Sequence, residues 1–165
     1  DFKSLEANND IEWIISLIEQ IRSVRAELRV PASAKPQLLE TRLESKFRKI
    51  VNRNKILIER MSRLSNILRS DEPQNGVVTI TVEGGEFSLH VADFVDIPAE
   101  RSRLLKSFKK NEDETNMLKK KMENKKFILN APEEVINQAR DRLIELVEDS
   151  KKLSAALIRI QDMSS

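Results

Sequence analysis

The sequence predicts an α+β fold: a long helix, a small β-sheet module with a helix packed on it, and a long antiparallel two-helix coiled coil. Three observations carry this. Apolar residues recur at three- and four-residue spacing over residues 11–28 and again over 47–61. Apolar and polar residues alternate on both sides of a Gly-Gly pair at residues 84–85. Beyond residue 99 two long stretches step by threes and fours, the coiled-coil period, separated by a proline-containing turn.

In chain order, Asn9 with Glu12 reads as a capping box that starts the first helix. Ile11, Ile14, Ile15, Ile18, Ile21, Val24 and Leu28 form its apolar face, and Pro31 stops it by disfavouring a helical Val30. Residues 35–40, with adjacent Leu38 and Leu39 after two prolines, read as an edge strand. Thr41 with Glu44 forms a second capping box, opening a helix whose Phe47, Ile50, Val51, Leu57, Ile58 and Met61 keep helical spacing. Residues 66–69 form a brief strand before a polar turn at 71–76. Val78, Ile80 and Val82, then Phe87, Leu89 and Val91, make a hairpin whose primed turn is built on Gly84-Gly85.

Pro98 suits the first turn of the next helix, where its missing N–H leaves nothing unpaired. That helix carries Leu104, Phe108, Leu118 and Met122 on its seam, with Asn111 and Thr115 at the intervening seam positions. After a turn at residues 127–131, Ile136, Ala139, Leu143, Leu146, Ser150, Leu153, Leu157 and Ile160 continue the pattern. Antiparallel pairing brings Asn111 close to Leu146 and Ser150, a polar layer that costs stability but can hold the register.

Composition narrows the function. The 165 residues include no Cys and one His, which excludes a disulfide framework, a thiolate site and a zinc cluster, and fits a reducing cytoplasm. Aromatic residues are 4% with no Tyr, too few for a base-stacking platform. No apolar run approaches the ~20 residues of a membrane span, and residues 1–9 lack a signal pattern, so the expectation is a cytoplasmic chain without a membrane partner. The net charge of +2 conceals segregation. Residues 35–69 hold ten basic against three acidic side chains, 70–98 none against six, and 99–130 ten against five. No nucleophile–base pair or phosphate-cradling glycine loop can be assembled, so no catalytic residue, cofactor site or metal site is assigned.

The segment Ile21-Arg22-Ser23-Val24-Arg25-Ala26-Glu27-Leu28-Arg29-Val30-Pro31 resembles the I-R-x-x-R-A-E-x-x-V-P stretch that ends the anticodon-binding domain of bacterial valyl-tRNA synthetases. Residues 97–103, and the tract from Lys121 through Phe127, Pro132 and Glu133 to Ile136, resemble the start and the hairpin tip of that family's C-terminal arm. The two matches bracket nearly the whole chain in the right order. The resemblance implies three parts: residues 1–31 as the last helix of an incomplete anticodon-binding domain, 32–97 as a connecting α/β module, and 98–165 as a coiled-coil tRNA-binding arm reaching towards the corner where the D and T loops meet. It further implies a parent valine–tRNA ligase, using ATP and Mg in a catalytic domain that this inactive fragment lacks, with valine tRNA and the remainder of the synthetase chain as partners. Two departures stand out. Only one helix of the anticodon bundle is present, and Asn111 and Thr115 occupy seam positions that the family more often fills with apolar residues.

Candidate phosphate contacts on the arm are Lys106, Lys109, Lys110, Lys119, Lys120, Lys121, Lys125 and Lys126, with residues 119–126 nearest the tip. The alternative is an ordinary solvated lysine face, or a protein-interaction stalk without RNA binding. Arg22 and Arg25, three apart on one face, either grip phosphate or pair with Glu19 and Glu27. Lys46, Lys49 and Arg53 lie on the basic second helix, within residues 35–69, which faces either RNA or the body of the parent enzyme. Trp13 reads as packing against absent helices, His90 as a structural histidine without an obvious carboxylate partner, and the exposed apolar face of residues 11–28 as a possible dimer contact.

Overall fold

The computed structural model describes residues 2–72 and 74–163, with side chains from residue 7 onward. Its elements run α1 Phe2–Glu27, β1 Leu38–Leu43, α2 Ser45–Ser62, β2 Ile67–Arg69, β3 Val77–Val82, β4 Gly85–His90, α3 Ile97–Glu123, α4 Lys125–Asn130 and α5 Glu133–Met163. The fold is α+β. The chain divides into two compact units, Asp1–Ile97 with Arg159–Ser165, and Pro98–Ile158. Residues 1–31 therefore do not stand apart from 32–97, because α1 is part of the first unit's core.

The sheet order is β2-β1-β4-β3. β1 and β2 are parallel neighbours joined through α2, while β4 pairs antiparallel with both β1 and β3. β1 is thus an interior strand and not the edge that its prolines indicated. Pro36 lies before the ladder, where its lack of an N–H costs no strand pairing. Leu38 faces Leu89, Leu89 faces Val78, and Phe87 faces Ile80, so these side chains share one side of the sheet, and all are buried.

Helix α1 begins at Phe2, so Asn9 and Glu12 lie inside it and no capping box forms there. The preceding residues contain no Gly or Pro to interrupt it. Its buried apolar face is Trp13, Ile14, Leu17, Ile18, Ile21 and Val24, continued by Leu28 just past its end, whereas Ile11 and Ile15 are about half exposed, at 54% and 49%. Most of the face expected to form a dimer contact is therefore occupied within the chain. Trp13 belongs to the core: its ring stacks on Phe47 of α2 with centroids 5.0 Å apart, and its Nε1–H donates to the Glu83 carbonyl at 3.0 Å.

Both helices of this unit end alike. Arg29 and Arg63 take left-handed φ angles of 53°. Val30 N then donates to Arg25 O at 2.9 Å, and Leu64 N to Glu59 O at 2.8 Å, the six-to-one bond of a Schellman turn. Val30 and Leu64 are buried, which supplies the apolar contact that accompanies such turns. The helix stop thus comes from this turn before Pro31 acts. The second expected capping box also fails. Thr41 lies in β1, where its hydroxyl donates to the Glu86 carbonyl at 3.0 Å, and Glu44 caps α2 without a side-chain hydrogen bond.

The hairpin forms as expected but its turn shifts by one residue. Val82 pairs with Gly85, so the loop residues are Glu83 and Gly84, and positive φ within the turn is confined to Gly84 at 77°. Gly85 is needed for a different reason: a Cβ there would sit 2.0 Å from the Arg42 carbonyl oxygen. At Gly84 a Cβ would meet the Phe47 ring at 2.1 Å. Residue 73 of the expected polar turn lies outside the described residues.

In the second unit α3 and α5 run antiparallel, since Asn111 meets Ser150 while Glu114 meets Arg142. The Ser150 hydroxyl donates to Asn111 Oδ1 at 2.7 Å, and Thr115 Oγ1 donates to the Asn111 carbonyl at 2.8 Å, so the polar layer expected from the seam is formed. Leu104, Asn111, Ala139, Leu146 and Ala156 are buried, but Phe108, Leu118, Met122, Ile136, Leu143, Leu153 and Leu157 remain partly accessible, because a pair of helices can cover only one stripe of each. The tip is not a simple turn at 127–131. Asn124 Oδ1 accepts from Lys126 N at 3.0 Å and Phe127 N at 3.3 Å, capping the short helix α4. Among the described residues no helix is long and apolar enough to cross a membrane.

Gly84→Ala combines a left-handed backbone with a clash against Phe47, and is expected to destabilise the chain by about 2–4 kcal/mol in urea unfolding.

Candidate nucleic-acid interface

Every arm candidate points into solvent: Lys106, Lys109, Lys110, Lys119, Lys120, Lys121, Lys125 and Lys126 are all exposed. Lys109 makes a long ion pair with Asp113 at 3.9 Å, which at that exposure is weak and salt-screened. Lys121 Nζ lies 4.8 Å from the Phe127 ring centroid, a cation–π contact that ties the end of α3 to α4. Lys121, Lys125 and Lys126 consequently cluster around the Asn124 cap, while Lys106, Lys109 and Lys110 sit further along α3. The carboxylates of the pair are engaged differently. Glu114 receives both Arg142 Nε at 2.8 Å and Arg142 Nη2 at 3.1 Å, and Glu145 receives Nη1 at 3.0 Å. This forked hydrogen bonding holds the Glu114 carboxyl below the usual carboxylate range and raises Arg142 above its ordinary value.

In the first unit Lys46, Lys49 and Arg53 are exposed along α2. Lys46 Nζ lies 5.3 Å from the Phe47 ring centroid. Part of the positive charge of α2 is answered within the chain. Arg48 pairs with the buried Glu40 of β1 and donates through Nη2 to the Leu43 carbonyl at 2.9 Å, and Lys55 lies 3.8 Å from Glu59. Glu40, on the core side of the sheet next to Phe87, is the reason Arg48 turns inward.

Arg25 is a correction to the sequence reading. Only 7% exposed, it neither faces solvent beside Arg22 nor pairs with Glu19 or Glu27. Its Nη1 donates to the carbonyls of Ser62 and Arg63 at 3.2 and 2.7 Å, and its Nη2 to those of Pro31 and Ala34 at 3.0 and 2.8 Å. Burial lowers its pKa from the ordinary arginine value, with the charge of Arg63 adding to the effect. Its structural role follows from this geometry: it satisfies carbonyls beyond the ends of both α1 and α2. Arg22 is exposed and lines a cleft together with Arg60 and Arg63 at the end of the basic second helix, residues that sequence spacing did not connect with Arg22 because they lie 38 and 41 positions away. His90 Nδ1 does have a carboxylate neighbour, Asp93 at 3.7 Å. Among the described residues no group of three or more His, Cys, Asp or Glu side chains is placed to hold a metal ion.

Arg25→Met removes the donor from the Ser62, Arg63 and Ala34 carbonyls, leaving the Pro31 carbonyl its bond from Ala34 N, and is expected to lower unfolding free energy by about 3 kcal/mol, whereas exposed Arg22→Gln should stay within about 0.5 kcal/mol of the parent in the same urea titration. Glu114 gives a pH signature. Because its folded pKa is depressed, its stabilising contribution is present above the unfolded value and lost as pH falls through the lowered folded value. The thermal midpoint of Arg142→Gln should therefore lie below that of the parent at neutral pH and converge with it in acid, an effect reduced by salt because the pair is exposed.

Comparison with known proteins gives these surfaces a context. Residues 96–161 match the family described as the valyl tRNA synthetase tRNA binding arm. The chain is 39% identical over 158 residues to a valine–tRNA ligase of Cereibacter sphaeroides, covering 96% of the chain and 16% of the relative. Identities of 34% to the enzyme of Ruegeria pomeroyi and 33% to that of Mesorhizobium japonicum cover 95% and 98% of the chain, but 15% and 18% of those relatives. The chain thus spans about a sixth of the length of the relatives it matches. Both the sequence matches at 21–31 and 121–136 and this near-complete alignment agree that the chain belongs to the valyl-tRNA synthetase family, to the C-terminal region that carries its tRNA binding arm.

Proposed function

We propose that the chain is a non-catalytic tRNA-binding part of a valine–tRNA ligase, in which the arm holds valine tRNA while valine is attached elsewhere with ATP and Mg. The observation that carries this reading is the coincidence of the arm match over residues 96–161 with eight exposed lysines on α3 and α4. Lysine ammonium groups on such a surface attract phosphates through release of condensed counterions, and need no groove-reading side chains. The shortage of aromatic residues fits recognition of folded RNA by shape and backbone more than by stacked bases. The exposed Ile11 and Ile15 of α1, and Ile56, Leu57 and Met61 of α2, are suited to pack against further parts of a synthetase. A stalk that docks a protein partner is the second reading, favoured by an apolar groove on the arm lined by Phe108, Val147, Ala155 and Ile158.

Titration of the chain with folded valine tRNA, another folded tRNA and an RNA duplex of equal length, across a salt series, separates the two. Binding should favour folded tRNA, weaken linearly in log–log form with salt, and drop by about tenfold or more when Lys119, Lys120 and Lys121 are changed together to Glu. Unchanged tRNA binding by that triple variant would remove the arm lysines from the interface and leave the protein-docking stalk as the better account.

A further inference from the structure

The C-terminal turns of α1 and α2 enclose a solvent-open cleft of about 360 Å³ in the first unit. Its walls carry four arginines, Arg22, Arg25, Arg60 and Arg63, and no carboxylate; the remaining lining is Ser62 and apolar side chains. Such a concentration of one charge is unfavourable unless something anionic answers it. Part of the positive charge is answered internally. Arg25 is held by four carbonyls, and Arg63 Nη1 donates to the Ala32 carbonyl at 3.0 Å. No hydrogen bond or ion pair engages the side chains of Arg22 or Arg60 among the described residues. Two neighbouring carboxylates are committed elsewhere, since Glu27 pairs with Arg159, and Glu59 accepts from Ile67 N at 3.0 Å and lies 3.8 Å from Lys55, while Glu19, three residues before Arg22, is exposed and does not line the cleft. The enclosed Ser62 hydroxyl has no hydrogen-bond partner, and it stands in the wall of the same cleft.

Three features make this arrangement specific for a phosphate group and not merely cationic. Guanidinium forks match the paired oxygens of a phosphate, which ammonium groups do not. Arg25 and the two Schellman turns fix the backbone from which Arg60 and Arg63 project, so the site is pre-organised by buried bonds. The apolar lining limits competing hydration on one side of the anion.

We propose that this cleft is a phosphate-binding site in which Arg22, Arg60 and Arg63 hold one backbone phosphodiester of a bound RNA, a second point of attachment separate from the arm lysines. Only the source of the phosphate rests on the reading of the chain as RNA-binding; the anion chemistry stands on the cleft itself.

The test has two arms on the full chain. In the first, arginine side-chain N–H resonances are followed by NMR during titration with inorganic phosphate, with sodium chloride as the ionic control. In the second, folded tRNA is titrated against the parent, Arg22→Gln/Arg60→Gln and Arg22→Lys/Arg60→Lys. Expected are phosphate-specific shifts at the cleft arginines that vanish in the Gln pair, and tRNA affinity about tenfold weaker for the Gln pair with a log–log salt slope lower by about one. The Lys pair should recover the slope but only part of the affinity, because it restores charge without the fork. All three proteins should unfold at the same urea midpoint. Phosphate that shifts no cleft arginine more than chloride does overturns the site. Phosphate shifts with unchanged tRNA affinity in the Gln pair overturn RNA as its ligand in favour of free phosphate. If the parent chain binds no tRNA, the functional reading fails and RNA with it, while the phosphate arm still decides whether the cleft holds the anion.

Discussion

The buried guanidinium of Arg25 is the constraint on which the first unit depends. Four carbonyls, two in the loop after α1 and two at the end of α2, converge on its terminal nitrogens. The Ser62 and Arg63 carbonyls stand at the C-terminal end of α2, where no intrahelical donor follows, and the Pro31 and Ala34 carbonyls belong to the loop after α1. Without a cation between them the Ser62, Arg63 and Ala34 carbonyls would lose their donor, and the loop from Pro31 to Ala34 would keep only the exposed bond from Arg63 Nη1 to the Ala32 carbonyl to hold it beside Ser62. The interaction therefore joins two segments distant in sequence and sets the floor of the arginine cleft. It also explains why both helices stop in left-handed arginines at positions where glycine would cost less: the turns are held by what surrounds them.

Above this clamp the core closes by ordinary burial. Trp13 and Phe47 stack, Gly84 leaves room for that ring, and Phe87, Leu89, Val78 and Ile80 line the covered side of the sheet. The one charged group among them, Glu40, is matched by Arg48. The second unit works on a thinner margin. Its paired helices bury few side chains completely, and a hydrogen-bonded Asn111–Ser150 layer replaces apolar contact midway. A slipped pairing would leave that amide among leucines, so the layer favours a single register at the expense of stability. Charge is arranged to match: the forked Glu114–Arg142 pair bridges the helices, while the lysines stay outward and available.

Much of this was legible in the sequence wherever the signal was local and repeated. The three-four steps of Leu146, Ser150, Leu153 and Leu157, and the alternation of Phe87 and Leu89, report a periodic burial that neighbours only reinforce. Short signatures fared worse. Asn9 with Glu12 and Thr41 with Glu44 both have the spacing of a capping box, yet the first is overrun by a helix already under way and the second loses Thr41 to a strand, where the Glu86 carbonyl takes its hydroxyl. A four-residue pattern worth about 1 kcal/mol cannot outweigh a strand with partners on both sides. The placing of β1 at an edge failed for the same reason, since which strands flank it is decided by residues 29 positions away in β2 and 42 to 51 positions away in β4.

The candidate interface divides along the same line. The sequence by itself determined that two basic zones exist, that the second, residues 99–130, rides on a helical hairpin, and that no cysteine or histidine cluster offers chemistry, because composition and period are properties of the chain alone. Only the tertiary structure decided which cations are available. It buried Arg25, turned Arg48 onto Glu40, left Lys119 through Lys121 in solvent, and brought Arg22 to Arg60 and Arg63. The physical reason is that a side chain's free charge depends on the carbonyls and carboxylates that folding sets beside it, and those come from elsewhere in the chain.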